Sequence, residues 1–255
     1  MVNEIFEKLS ALPQVEAIAL GGSRANGVFD EKSDYDVYVY VTDNIDNGVR
    51  ENILAPYCSQ MEIGNHYWEF EDNIILKDGV PMDIIYRPMD KFDKFISYTV
   101  FEHHANHGYT TCFWHNIITS QIVYDPSGKY AEIKKKFTVP YPEELRQNII
   151  DLNMKMLSGI LPSFDKQIKK AIDRNDFVSV NHRPAAFVAS YFDVIFAVNR
   201  LTHPGEKRLV QICKERCEIL PKDFEENLDK LLKEKPTEKI MEVIADMVKN
   251  LKEII

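Results

Sequence analysis

Short apolar runs bounded by polar and turn residues recur along three stretches of the first half of the chain. The stretches are 15–22, 33–41 and 66–88; the second is rich in β-branched and aromatic residues, and each is predicted to form strands. Asp78-Gly79 divides the last stretch and is a strong signal for a hairpin. A strand is also expected to end at Tyr124. Helical spacing predicts helices over 3–11, 23–29, 49–61, 90–105 and 111–118.

The pattern typical of strands disappears after residues 137–144, where two prolines mark a plausible linker. The pattern therefore predicts an α/β domain over residues 1–138 and a helical bundle over residues 139–255. In the bundle, Asn181 is the expected helix cap and Pro184 a first-turn proline. The predicted helices of this half cover residues 143–160, 163–174, 184–201, 207–217, 222–234 and 236–254.

The composition of the 255-residue chain is that of a globular protein, with 45% hydrophobic and 11% aromatic residues. Its net charge of −9 argues against a broad nucleic-acid-binding face and suits a small or cationic substrate. The N-terminus lacks the layout of a signal peptide, and the apolar run at 187–198 is too short to span a bilayer. We therefore expect a cytoplasmic protein without a membrane partner, present as a monomer or homodimer.

Asp34 and Asp36 stand two residues apart in a predicted strand. Residues i and i+2 of a strand point to the same face of a sheet, so the two carboxylates project side by side. Two adjacent like charges raise one pKa unless a cation lies between them. Mg²⁺ and Mn²⁺ prefer oxygen ligands, and two such ions about 4 Å apart can hold the attacking and leaving oxygens of a phosphoryl displacement. The spacing therefore suits a site for divalent cations.

Asp83 is the only acid in an otherwise apolar predicted strand, flanked by Met82 and Ile84. A lone acid in such a strand is costly unless it has a partner. If this strand pairs with the strand of Asp34 and Asp36, the three carboxylates converge on one point. The alternative is that Asp83 ends the hairpin at an exposed edge of the sheet.

Gly21-Gly22-Ser23 joins a predicted strand to the start of a predicted helix. Free backbone N–H groups and the helix dipole favour an anion at such a point. Glycine lets the backbone approach a phosphate, and the Ser23 hydroxyl and the Arg24 guanidinium would add donors. We therefore predict nucleotide binding at Gly22, Ser23 and Arg24.

Together, the segment 21–41 and the later Met-Asp-Ile-Ile-Tyr at 82–86 resemble the nucleotidyltransferase superfamily typified by DNA polymerase β. The superfamily pattern is Gly-Ser, a short variable stretch, Asp-x-Asp at a strand start, and a third acid on a nearby strand. The resemblance implies a mixed sheet flanked by helices, so that with the helical second half the expected fold class is α+β. It also implies triphosphate binding at Gly22 and Ser23, and metal binding by Asp34, Asp36 and Asp83.

Within that superfamily the chain is similar to small bacterial members with a helical C-terminal domain. These include enzymes that adenylylate aminoglycosides and lincosamides. Residues 191–209 also resemble the helical half of uncharacterised members of this group, a likeness that names no substrate.

Two charged residues of the second half are candidates for substrate binding. Asp193 lies on the flank of an apolar helical stripe, where it would activate the acceptor hydroxyl or bind a substrate ammonium group. The alternative is a network with Arg200 on the helix surface. Lys207 lies at the start of the next predicted helix, where it would reach a nucleotide phosphate or simply extend into solvent.

Glu69 and Glu71 share a face of their predicted strand, where either would be a general base or an ordinary exposed acid. Trp68 and Trp114 are expected in the core rather than as platforms for a base.

The expected enzyme moves a nucleoside monophosphate, AMP from ATP in the first instance, to a hydroxyl of a small acceptor and releases pyrophosphate. Alignment and charge neutralisation would supply most of the rate. A cationic antibiotic such as an aminoglycoside or a lincosamide fits the acidic balance of the chain. A protein hydroxyl, as in toxin-like enzymes, fits the same motif, whereas the absence of a basic stripe argues against tRNA. A catalytically silent nucleotide-binding module is a further alternative.

Overall fold

A computed structural model describes residues 1–25, 33–233 and 237–255, and the chain divides into two compact units. The first unit comprises Met1–Ser97 and Asn116–Val139, and the second comprises Tyr98–His115 and Pro140–Ile255. The domain boundary predicted at residues 138/139 stays a prediction.

The first unit is built on one six-stranded sheet with the strand order β3-β4-β5-β2-β1-β6. β2 runs parallel to β5, and every other neighbouring pair is antiparallel, so the sheet is mixed as predicted. The strands are β1 Val15–Leu20, β2 Tyr35–Val41, β3 Cys58–Asn65, β4 Glu71–Leu76, β5 Pro81–Pro88 and β6 Gln121–Tyr124.

Neighbouring residues of the central strands point to opposite faces of the sheet. One face lies in the main hydrophobic core, and the other, called the polar face, carries Asp36 and Asp83. Val37, Val39 and Val41 of β2 lie in the hydrophobic core together with residues of two helices, α1 and α3. Asp36 therefore points to the opposite face, because neighbouring residues of a strand alternate. Tyr38 continues that face along β2. The helices with residues in the first unit are α1 Val2–Ser10, α2 Gly22–Ala25, α3 Asn47–Leu54, α4 Met89–Val100, α5 Cys112–Thr119 and α6 Lys129–Phe137.

The second unit is helical, and the helix Phe177–Val198, labelled α9, is its most buried element. Aromatic side chains of α9, among them Tyr191 and Phe192, pack against Phe224 of a later helix. This arrangement confirms the predicted α+β fold class, with strands in the first half of the chain and a helical second half. The helices of this half are α7 Glu143–Leu157, α8 Phe164–Asp173, α9 Phe177–Val198, α10 Leu209–Arg216, α11 Phe224–Lys233 and α12 Glu238–Lys252.

Three element predictions in the first half of the chain are wrong. The helix expected over 49–61 ends at Leu54, and the residues after it form β3, because pairing with β4 satisfies that backbone. The helix expected over 90–105 ends at Val100. α6 was not predicted at all. Residues 26–29 of the helix predicted over 23–29 lie outside the described residues, as do 234 and 236 of two later predicted helices.

The predicted start of α9 at Pro184 is also wrong. The helix begins at Phe177, and Pro184 lies inside it. The cap is Asp176 rather than Asn181, because the Asp176 side chain accepts a hydrogen bond from the Ser179 backbone N–H at 3.1 Å. Among the helices that the structure describes, none combines the length and apolar character needed to span a bilayer.

Candidate active site

Three carboxylates converge on the polar face of the sheet. Asp36 on β2 and Asp83 on β5 are direct partners in the parallel ladder, and Asp34 immediately precedes β2. One oxygen from each of the three side chains lies within 4.8 Å of the others, and all three residues are half-buried. β5 lies between β4 and β2, so the alternative that places Asp83 at an exposed edge is wrong.

This set of ligands fits a hard divalent cation. All three groups are carboxylates, the ligand type that Mg²⁺ and Mn²⁺ prefer. Among residues 1–25, 33–233 and 237–255, no other cluster of three acidic, histidine or cysteine side chains has the geometry to hold a metal ion.

A glycine pair forms one wall of the carboxylate cluster. The Gly21 N–H donates to the backbone carbonyl of Asp36 at 2.8 Å, and Gly22 has a φ of +63°. A Cβ atom at Gly22 would lie 1.8 Å from Asp36 Oδ2, and one at Gly21 would lie 2.4 Å from Tyr38 Cε2. Only glycine therefore allows this turn to lie against the β2 side chains, which explains the Gly-Gly sequence by close approach.

Arg24 supports the backbone that leads into β2. Its Nε donates to the carbonyls of Ser33 at 2.9 Å and Asp34 at 3.1 Å, and its Nη2 donates to Ser33 at 2.6 Å. The guanidinium also lies over the Tyr35 ring, 3.8 Å from its centroid. Arg24 thus fixes the position of Asp34 through the backbone. Its predicted direct contact with a nucleotide stays a prediction, as does that of the half-buried Ser23.

Two asparagines that sequence reasoning missed lie beside Asp83. Asn73 on β4 pairs with Asp83 across the antiparallel ladder, and its Nδ2 donates to Asp83 Oδ1 at 2.7 Å. Asn65 on β3 donates in turn to Asn73 Oδ1 at 2.5 Å. A signal was present in the sequence, because the hairpin predicted at Asp78-Gly79 brings Asn73 close to Asp83.

The two glutamates near the hairpin differ from the expected exposed acids. Glu71 is only 5% exposed, and burial together with the charge of Asp83 raises its pKa. Glu69 forms a bidentate ion pair with Arg87, in which Arg87 Nε lies 2.8 Å from Glu69 Oε2. Glu69 is therefore engaged in a structural ion pair.

The opposite face of β4 carries a buried ion pair. Arg50 of α3 donates to Asp72, and both side chains are fully buried. Asp72 also accepts from the Tyr86 hydroxyl at 2.9 Å and from the Gly64 N–H at 2.7 Å. Since Asp72 and Asn73 are neighbours in a strand, one β4 residue stabilises the core while the next reaches the carboxylate cluster.

Asp193 lies in the interior of the second unit rather than on an open flank of its helix, with 1% of its surface exposed. It accepts hydrogen bonds from the Thr110 N–H at 3.1 Å, the Thr110 hydroxyl at 2.6 Å and Asn153 Nδ2 at 3.2 Å. Burial raises its pKa to about 7. The alternative network with Arg200 is wrong, because Arg200 pairs with Glu143 at 2.9 Å. A contact between Asp193 and an acceptor hydroxyl stays a prediction.

Lys207 is exposed in the turn before α10, and its contact with a nucleotide phosphate also stays a prediction. Trp114 is buried and packs on Tyr141, as expected. The core position expected for Trp68 is wrong, since this residue is 89% exposed in the loop between β3 and β4.

Comparison with known proteins identifies two family regions in the chain. The profile described as "Nucleotidyltransferase domain" matches residues 2–106, and the profile described as "Domain of unknown function (DUF4037)" matches residues 110–209. No curated protein sequence matches the chain.

Among solved structures, the chain is similar to a nucleotidyltransferase-like protein from Exiguobacterium sibiricum, with 10% identity, coverage of 99% of this chain and 72% of that chain, and a TM-score of 0.42. An aminoglycoside 6-adenyltransferase from Bacillus subtilis gives 11% identity, coverage of 99% and 88%, and a TM-score of 0.30. A spectinomycin adenyltransferase from Enterococcus faecialis, solved with ATP and spectinomycin, gives 12% identity, coverage of 98% of both chains and a TM-score of 0.32. These TM-scores are too low to carry an argument about substrate.

The match to residues 2–106 includes all three carboxylates and the glycine pair. It confirms the resemblance that the Gly-Ser and Asp-x-Asp motifs indicated. Residues 2–106 are thus the part of the chain that is similar to nucleotidyltransferase domains.

Proposed function

We propose that the protein is a metal-dependent nucleotidyltransferase that moves a nucleoside monophosphate, AMP from ATP in the first instance, to a hydroxyl of a small acceptor. The observation that supports this most strongly is the convergence of Asp34, Asp36 and Asp83 within 4.8 Å, inside a nucleotidyltransferase domain. Carboxylates held this close repel one another unless a cation lies among them.

In this proposal Asp34, Asp36 and Asp83 hold Mg²⁺, as two ions, with Mn²⁺ as an alternative. When bound, the cations supply positive charge that neutralises the phosphate oxygens during transfer. The Gly21-Gly22 turn brings backbone close to the carboxylates, and in this proposal the triphosphate binds beside that turn. The proposed role of Ser23 is to donate its hydroxyl to a phosphate oxygen.

The reaction is a single displacement at phosphorus. An acceptor oxygen forms a bond to the α-phosphorus, the bond from that phosphorus to the pyrophosphate oxygen breaks, and the acceptor proton is released. The protein residues bind and align the two substrates and form no covalent intermediate. Arg24 holds Asp34 in place through the carbonyls of residues 33 and 34.

We further propose that the acceptor is a small cationic molecule of the aminoglycoside or lincosamide kind. The support is the net charge of −9, which favours a cationic partner over nucleic acid.

The test is incubation of the protein with Mg²⁺, α-labelled ATP and a panel of aminoglycosides and lincosamides, with measurement of pyrophosphate release and of the labelled product. Asp34→Asn and Asp36→Asn should each lower turnover at least about a hundredfold, the scale expected when a charge-stabilising contact is lost. Asp43→Asn is the matched control, because Asp43 is exposed and outside the cluster. It should keep the wild-type rate.

Different outcomes separate the alternatives. Wild-type turnover in both cluster variants would overturn the metal assignment. Label that appears on protein instead of a small molecule would replace the proposed acceptor by a protein hydroxyl. Tight ATP binding without pyrophosphate release for any acceptor would identify a silent nucleotide-binding module.

A further inference from the structure

We infer that Asn73 is a positioning residue that orients Asp83 and makes the carboxylate cluster selective for Mg²⁺ over Ca²⁺. The inference rests on the proposed metal-dependent function, and it concerns a residue that touches neither nucleotide nor acceptor in that proposal. Three features of the polar face of the sheet support it.

The first feature is the place of Asn73 in the sheet. Asn73 on β4 is the ladder partner of Asp83 on β5, and Asp83 is in turn the ladder partner of Asp36 on β2. The three side chains therefore form a row across adjacent strands on one face. Because the strands lie in the interior of the sheet, the hydrogen bond from Asn73 Nδ2 to Asp83 Oδ1 at 2.7 Å joins two rigidly held backbones.

The second feature is a chain of hydrogen bonds that ends at Asp83, in which each residue donates to the next. The Tyr67 N–H donates to Asn65 Oδ1 at 3.3 Å, Asn65 Nδ2 donates to Asn73 Oδ1, and Asn73 Nδ2 donates to Asp83. An ionised carboxylate only accepts, so Asn73 must present its NH₂ group to Asp83 and its carbonyl to Asn65. The amide of Asn73 is thus held in one orientation, and each bond of the chain strengthens the next.

The third feature is the separation of two neighbouring acids by the same amide. Glu71 lies two residues before Asn73 on the same face of β4, and Asp83 is the ladder partner of Asn73 on β5. The charge of Asp83 contributes to the raised pKa of Glu71, so the two carboxylates repel each other. The hydrogen bond from Asn73 to Asp83 Oδ1 opposes a rotation of the Asp83 carboxylate in response to that repulsion.

These features bear on the choice of ion. One oxygen of Asp83 is occupied by the amide donor, which favours coordination of a metal through a single carboxylate oxygen. Mg²⁺ demands octahedral geometry at short distances, whereas Ca²⁺ accepts six to eight ligands and bidentate carboxylates. A carboxylate restrained to one oxygen and one orientation therefore disfavours Ca²⁺ more than Mg²⁺.

The test is direct metal binding, without turnover. The dissociation constant for Mn²⁺ is measured by electron paramagnetic resonance, and Mg²⁺ and Ca²⁺ are each titrated as competitors. Asn73→Ala should weaken Mn²⁺ and Mg²⁺ binding by about tenfold or more, the effect typical of losing a group that orients a metal ligand. Ca²⁺ binding should weaken less, so that the preference for Mg²⁺ over Ca²⁺ falls.

Two further variants make the result independent of folding. Asn65→Ala leaves Asp83 and its direct donor intact, and it should shift the same preference in the same direction by a smaller factor. Asn44→Ala removes an exposed amide that follows the other end of β2 and is not part of the cluster, and it should change nothing. Thermal unfolding of each variant checks that the protein is folded during the titration.

A folded Asn73→Ala variant with wild-type affinities and a wild-type Mg²⁺ to Ca²⁺ preference would overturn the inference alone. The same holds if Asn73→Ala fails to fold and Asn65→Ala leaves the preference unchanged. Failure of the wild-type protein to bind Mn²⁺ at all would overturn the proposed function, and this inference with it.

Discussion

Replacement of Gly22 by alanine tests the geometry of the candidate site more directly than replacement of an acid does. The substitution leaves all three carboxylates in the chain and adds only a methyl group to the wall beside them. That methyl carbon would lie 1.8 Å from Asp36 Oδ2 and 2.9 Å from Asp36 Cγ. The nearest distance is roughly 1.6 Å short of ordinary contact, which begins at 3.4 Å. Asp36 must therefore move, or the turn must.

The structure separates two effects of Gly22→Ala. The φ of +63° costs an alanine about 1–2 kcal/mol in either case, because the left-handed region brings Cβ close to a backbone carbonyl. The collision with Asp36 adds a displacement of a proposed metal ligand by more than 1 Å. A misplacement of about 1 Å can lower a rate about 10²-fold, which corresponds to roughly 2.7 kcal/mol of barrier. We expect a modest loss of stability and a loss of activity of at least that factor.

Gly79 provides the matched control. Its φ is +88°, and a Cβ atom there would meet nothing within 4 Å. Gly79→Ala should therefore lose a similar amount of stability and keep wild-type activity. The assays are thermal unfolding, Mn²⁺ binding and pyrophosphate release from ATP for both variants. Wild-type Mn²⁺ binding and turnover in Gly22→Ala would refute the reasoning, as would an equal loss in Gly79→Ala.

Two predictions concern stability rather than the site. Burial raises the pKa of Asp193 to about 7, so the folded state binds the Asp193 proton more tightly than the unfolded state does. The contribution of Asp193 to the free energy of unfolding therefore falls as the pH rises from about 4 to 7. Relative to Asp193→Asn, the wild type should lose a few kcal/mol of unfolding free energy over that range, at about 1.4 kcal/mol per pH unit. Equal pH dependence of the unfolding free energy in the two proteins would contradict this. Arg50→Ala leaves Asp72 buried without its cation and should cost about 3–5 kcal/mol in urea unfolding. Lys169→Ala, which breaks an exposed pair, should cost less than about 1 kcal/mol, and equal losses would argue against the burial effect.

The local pattern of the sequence was sufficient for several features of the site. A period of two predicts that Asp34 and Asp36 lie on one face of a strand. In the structure β2 begins at Tyr35, so Asp34 lies just before the strand, and the carboxylates of Asp34 and Asp36 still come within 4.8 Å of each other. The sequence also predicted a glycine turn after an apolar strand, but not why glycine is required there. The prediction was that glycine lets a phosphate approach the backbone, whereas in the structure the absence of a Cβ at Gly22 makes space for the Asp36 side chain.

Other features were invisible because they depend on partners distant in the chain. β3 contains residues such as Gln60, Met61 and Glu62 that are common in helices, and its strand conformation comes from pairing with β4. Trp68 is a large aromatic residue of the kind usually expected in a core. It is exposed because it lies in the loop that joins β3 to β4. The predicted start of α9 is wrong because a proline such as Pro184 is typical of the first turn of a helix. In the structure the Asp176 cap and the packing of the helix extend it toward the N-terminus, so that Pro184 lies inside it.

By itself, then, the sequence indicated the α+β class, the similarity of the first part of the chain to nucleotidyltransferase domains and the closeness of the Asp34 and Asp36 carboxylates. These follow from short-range periodicity and from motifs that occupy a few consecutive residues. The tertiary structure decided that Asp83 stands in register with Asp36, that Asn73 holds one of its oxygens, and that Asp193 is buried. Each of these depends on which strands and helices lie side by side, and such long-range pairing depends on the burial and hydrogen bonding of the whole chain rather than on any local pattern.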